Sequence, residues 1–97
     1  MANFILSYDL NGHAPSHADI DEHLLKLPGE KARLLETVWY VAFPGSAEQL
    51  RQYMDMLLSA NDQVLVVEAV EAAWRNILVE DQALKNAWHR NQRRNAA

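Results

Sequence analysis

The sequence predicts an α+β domain with element order βαββαβ, and three observations carry that prediction. Stretches rich in apolar and β-branched residues recur at 3–10 (NFILSYDL), 32–43 (ARLLETVWYVAF) and 63–70 (QVLVVEAV). Segments with apolar residues at helical spacing fill both gaps between them. Pro28-Gly29 and Pro44-Gly45 punctuate the chain where one kind of element gives way to the other.

In the first strand, side-chain alternation puts Phe4, Leu6, Tyr8 and Leu10 on one face, the expected core side, and Ile5, Ser7 and Asp9 on the other. Asn11 to Pro15 has the composition of a turn. Ser16 then caps a helix, with Asp19 in the capping-box position and Asp21 and Glu22 suiting the positive end of the helix dipole. Ile20, Leu24 and Leu27 give it one apolar stripe. A single strand over 32–43 would be unusually long for a small domain, so the segment is read as two short strands bent near Glu36 and Thr37, although no Gly, Asn or Asp marks the bend.

Ser46, with Gln49 three residues on, is the clearest cap in the chain. The helix it opens carries Leu50, Tyr53, Met54, Leu57 and Leu58 on one face. Ser59 to Asp62 form its exit turn, and 63–70 supply the fourth strand. Two right-handed βαβ units that interleave give the ferredoxin-like plan: a four-stranded antiparallel sheet of order 4-1-3-2 with both helices on one face. Beyond Trp74, Ile77 and Leu78, Glu80-Asp81 open a short C-terminal helix with Ala83, Leu84, Ala87 and Trp88 on one side and Arg90 at its end. The domain is expected over 1–90, with 91–97 a polar tail.

At 97 residues there is room for one core. The formal charge of −4 gives no general pull toward phosphate backbones or anionic membranes. No cysteine is present, so neither a disulfide framework nor a thiolate metal site can form. No stretch reaches the roughly 20 apolar residues that span a bilayer, and the N-terminus lacks the pattern of a signal peptide. A soluble, cytoplasmic protein is expected.

The strands are apolar on both faces: Trp39, Val41 and Phe43 oppose Val38, Tyr40 and Ala42, and Val64 and Val66 oppose Leu65 and Val67. An open antiparallel sheet normally alternates apolar with polar, so a second cover is implied. The C-terminal helix supplies part of it and a second copy of the chain the rest, which predicts a homodimer on the sheet face or on the edge strand 63–70, with Trp39, Val64 and Val66 as interface residues.

Asp9, at a strand end beside a loop, is the candidate catalytic and metal carboxylate, able to hold Mg²⁺ or Mn²⁺ for phosphodiester attack. The competing reading is that it accepts hydrogen bonds from the Asn11-Gly12 turn. His13, His17 and His23 cluster with Asp19 and Asp21, but the i,i+4 pairs His17/Asp21 and Asp19/His23 point apart around the helix, so a solvated acidic first turn is the favoured reading over a zinc or nickel site. Arg90, Arg93 and Arg94, beside Trp88 and His89, form the basic cluster that could grip a nucleic-acid phosphate. The competing reading there is a solubilising tail.

A first strand closing on Tyr8-Asp9, the strand pair LLETVWYVAF and a small domain ending near a fourth strand together resemble the Cas-two-like group of small proteins, most closely its SinR-like branch, in which ILSYDL, LETVWYV, AEQLRQYM and EAAW look typical. The resemblance covers residues 3 to about 78. It implies a homodimer whose two Asp9 carboxylates face each other across the two-fold axis and share a divalent metal, with Thr37 where relatives often carry Ser and Trp39 at an aromatic or aliphatic place. CRISPR-associated members of that group act mainly as scaffolds holding duplex DNA for an integrase partner; similar folds occur in ribonucleases and antitoxins of toxin–antitoxin pairs. The chain departs from the basic character that DNA-binding members show just after the aspartate, offering Asn11, His13, His17, Asp19, Asp21 and Glu22 there. The readings carried forward are a binding or scaffold module, a metal-dependent nuclease, and an antitoxin-like partner of another protein.

Overall fold

Ser16 and Ser46 start helices as their spacing predicts. Ser16 Oγ accepts from Asp19 N–H at 3.2 Å while the Asp19 carboxylate accepts from Ser16 N–H at 2.9 Å. Ser46 and Gln49 repeat the exchange at 3.1 and 2.8 Å. Asp is therefore long enough to complete the box, and the Ser16 bonds hold its pKa below the usual carboxylate value. The computed structural model describes residues 1–92. Its elements are β1 (Ala2–Asp9), α1 (His17–Leu25), β2 (Lys31–Leu35), β3 (Val38–Phe43), α2 (Ala47–Asp55), β4 (Gln63–Glu68) and α3 (Asp81–Asn91). None of its helices is long and apolar enough to cross a membrane.

The segment 31–43 is a hairpin that turns at Glu36-Thr37. The register between β2 and β3 shifts between Arg33 and Leu35, and such a bulge adds local twist that helps a turn form without glycine. All pairings are antiparallel and the sheet order is β2-β3-β1-β4, which counted from the other edge is 4-1-3-2. The domain is thus an α+β layer structure consistent with a ferredoxin-like plan.

Each face of the sheet has its own core. On one, Phe4, Leu6 and Tyr8 of β1 and Trp39 and Val41 of β3 pack against Ile20 and Leu24 of α1 and Leu50 and Met54 of α2. On the other, Tyr40, Ala42 and Leu34 pack against Leu84, Ala87 and Trp88 of α3, with Ile5, Val38, Trp74 and Ile77 at the margin. The second face is pinned by a polar group: Asn3, 1% exposed, donates from Nδ2 to the Trp88 carbonyl at 2.9 Å and accepts at Oδ1 from the Tyr40 hydroxyl at 2.7 Å. Burial pushes the Tyr40 pKa up to about 12. Trp88 stacks on Tyr40, with centroids 5.6 Å apart, and donates from Nε1 to the Val70 carbonyl at 3.1 Å.

The return segment 69–80 is anchored by Leu78 N–H to the Leu34 carbonyl at 2.9 Å and by Trp74 Nε1 to Asp81 at 2.7 Å. Asn91, expected in the tail, ends α3 instead: its amide donates to the Ala87 carbonyl at 2.8 Å and to Glu30 at 2.5 Å. Arg93 and Arg94 lie outside the described residues.

Candidate functional site

α3 and the return segment cover the β2-β3 side of their face and stop short of β4. Register pairs Ser7 with Leu65, Ile5 with Val67 and Asp9 with Gln63, so Ser7, Asp9, Gln63, Leu65 and Val67 share the part of this face that stays open. Leu65 is 62% and Val67 44% exposed. Asp9 is exposed at the strand end. A shallow depression of about 240 Å³ beside it is lined also by Thr37 of the β2–β3 turn.

The turn after β1 does not use Asp9. Asn11 N–H donates instead to Asp62 Oδ1 at 2.8 Å, and Ser59 N–H to Asp62 Oδ2 at 2.7 Å; these two bonds hold the Asp62 pKa below its ordinary value. Among the described residues no side-chain hydrogen bond or ion pair reaches the Asp9 carboxylate, which corrects the expectation that the Asn11-Gly12 turn engages it. The donors around it are oxygens: one carboxylate, the Ser7 and Thr37 hydroxyls and the Gln63 amide. That chemistry suits a hard divalent cation held largely through water.

The histidine and aspartate groups of α1 are each drawn into a different contact. His23 stacks on Tyr53 with centroids 4.0 Å apart and reaches its backbone carbonyl at 2.7 Å; Asp19 completes the cap. Among the described residues no three His, Asp or Glu side chains gather as a ligand set.

His17 and Asp21 do meet other groups, and here the structure assembles what single-chain spacing could not reveal. The Tyr8 hydroxyl lies 3.2 Å from His17 Nδ1, Asp21 is ion-paired with Arg33, and the Arg33 guanidinium lies 5.6 Å from the Trp39 ring centroid. Burial, and then the nearby Asp21 charge, raise the Tyr8 pKa; the hydrogen bond that Arg33 donates to Asp21 raises the pKa of Arg33. Among the described residues, Asp21 Oδ1 and Arg33 Nε are buried there without hydrogen-bond partners. The i,i+4 spacing of His17 and Asp21 was a visible signal, but their partners, Tyr8 and Arg33, come from two different strands. Tyr8 and Asp9 point to opposite faces at the same strand end, and Tyr8 also lines the Asp9 depression.

Two further expectations change. Trp39, 6% exposed, belongs to the α1–α2 core rather than to an open face; Val64 and Val66 are half-buried against that core at the sheet edge, and the exposed apolar side chains of β4 are Leu65 and Val67. Arg90 is ion-paired with Glu30, whose pKa it lowers, while its side chain stays 58% exposed. No protein-family model matches the chain, and no curated protein or solved structure matches it.

Proposed function

We propose that the chain is a ferredoxin-like, homodimeric module of the Cas-two-like kind that works by binding or scaffolding rather than by catalysis. The observation that carries this reading is the open strip of Ser7, Asp9, Gln63, Leu65 and Val67, where two exposed apolar side chains lie beside a carboxylate that no other group among the described residues uses. Exposed apolar surface next to polar groups is the character of an association site. Asp9 is the residue that would hold Mg²⁺ or Mn²⁺, and such an ion would offer a docking point for a phosphate or a partner carboxylate. The use of Arg90 by Glu30 and the charge of −4 favour a protein partner over nucleic acid.

Light scattering after size-exclusion chromatography at micromolar concentration should return twice the chain mass; monomer alone would overturn the reading. Incubation of single- and double-stranded DNA and RNA with Mg²⁺ or Mn²⁺ should give no hydrolysis that Asp9→Asn abolishes. Asp9-dependent cleavage would establish the nuclease instead.

A further inference from the structure

The two edges of the sheet are finished differently. β2 is bulged between Arg33 and Leu35, carries Lys31 and Arg33, and has its Leu34 carbonyl occupied by the N–H of Leu78. Bulges, inserted cations and a covering loop are the means by which sheet edges avoid pairing with another chain. β4 pairs with β1 in an unbroken register, and its sequence QVLVVE has no Lys, Arg, Pro or Gly. It is a regular, apolar edge strand, the kind that accepts another strand.

Its hydrogen-bond phase decides which strand fits. Ala69 N–H donates to the Asn3 carbonyl at 2.9 Å, which makes 3 and 69 a bonded pair in the β1–β4 ladder. Bonding alternates along an antiparallel ladder, so Val67, Leu65 and Gln63 face β1 and Val64 and Val66 turn their amide groups outward. Tyr8 N–H, which donates to the Thr37 carbonyl toward β3 at 3.1 Å, agrees with that phase.

Resting on the homodimer reading above, we infer that two copies join β4 to β4 antiparallel about a two-fold axis through Val66, forming one eight-stranded sheet. In this register Val66 meets Val66 of the second copy through paired backbone hydrogen bonds. Leu65 falls opposite Val67 of the second copy on the open face, so each exposed apolar side chain gains an apolar neighbour. Val64 falls opposite Glu68 of the second copy, and the two Glu68 carboxylates stay roughly 13 Å apart at ~3.3 Å per residue. A second copy is the occupant because the edge is complementary to itself: the outward amides, the apolar pairs and the separation of like charge all follow from one symmetry axis. Joining the edges also merges the two open strips into one surface.

This geometry departs from the assembly that the resemblance implies. Leu6 lies opposite Val66, so Asp9 sits three residues from the axis level and one strand further in. With ~4.8 Å between strands and ~3.3 Å per residue, the two Asp9 carboxylates lie roughly 25 Å apart. They cannot share an ion, and each depression serves its own copy.

The chain has no cysteine, so a single introduced one reports the interface without ambiguity. Cα atoms of a bonded antiparallel pair lie about 5.5 Å apart, within disulfide reach. Val66→Cys should cross-link to a covalent dimer under mild oxidation, whereas Asp9→Cys should not. Cross-linking of Asp9→Cys, or failure of Val66→Cys to cross-link while light scattering still returns a dimer, overturns the edge pairing and leaves the homodimer standing. A wild-type monomer by light scattering overturns both. As a second arm, Leu65→Lys and Val67→Glu should each weaken the dimer at least tenfold, and the double variant should recover most of that loss by setting Lys against Glu across the axis. No recovery in a double variant whose circular dichroism matches the wild type counts against this register.

Discussion

The two faces of the sheet are closed by different physics. Beneath α1 and α2 the fully buried residues are apolar and recur at the spacings of strand and helix, and the polar contacts, Tyr8 with His17, Arg33 with Asp21 and His23 with Tyr53, lie at the margin. Beneath α3 the cover is held by Asn3, Tyr40 and Trp88, a polar and aromatic knot that joins the first strand to the last helix. A face closed by area tolerates small shifts, whereas one closed by hydrogen bonds depends on a few atoms in fixed positions. The knot also reaches only part of its face, and what it leaves open is the strip beside Asp9.

That contrast can be broken at either side. Phe4→Ala, which empties a fully buried site under α1 and α2, should cost about 3–5 kcal/mol in urea unfolding at neutral pH, a large share of a small domain's total. Tyr40→Phe removes one hydroxyl and leaves Asn3 Oδ1 short of a donor, which should cost about 1–3 kcal/mol and raise amide exchange in α3 before the other helices.

The same residue gives a pH signature. A hydroxyl whose folded pKa is raised to about 12 stabilises the fold fully below its ordinary value of about 10 and loses that contribution as pH climbs between the two. Urea midpoints should therefore fall more for wild type than for Tyr40→Phe between about pH 9 and about pH 11. An equal decline would show that Tyr40 ionises as freely as in the unfolded chain.

The smallest effect is expected at the surface pair between Arg90 and Glu30. Both side chains are about half exposed, 58% and 42%, so salt screens them. Arg90→Ala should move the neutral-pH midpoint little and leave α3 docked. Glu30 has a lowered folded pKa, so its contribution is present above the ordinary carboxylate range and lost as pH falls through the folded value. The variant should therefore lose less stability than wild type on acidification. A large neutral-pH effect would mean that the ion pair, rather than the knot, holds the helix.

The first face was legible in the sequence because period is legible: Phe4, Leu6 and Tyr8 alternate, Leu50 and Met54 repeat every helical turn, and Ser46 with Gln49 announces its own cap. The bend at Glu36-Thr37 was found from strand length alone. The second face was read only in outline, since nothing in the spacing of Asn3, Tyr40 and Trp88 says that they meet. For the same reason the pattern leaves Trp39 open between a core and an interface anchor, and the structure encloses it between Arg33 and the α1–α2 core. Asp9 was visible as a strand-end carboxylate, but its freedom depends on Asp62, more than fifty residues away, taking the turn.

The bond from Asn3 to Trp88 spans 85 positions. A ribosome must therefore deliver the chain through residue 88 before the amide of its third residue can find this partner, and β1, flanked on both sides in the finished sheet, waits for β4 as well. Such long loops close late. During synthesis the nascent polypeptide would carry a sticky, half-clad β-ribbon for most of its exit, and a chaperone that shields Ile5, Val38 and Tyr40 would meet the same surface that α3 later claims.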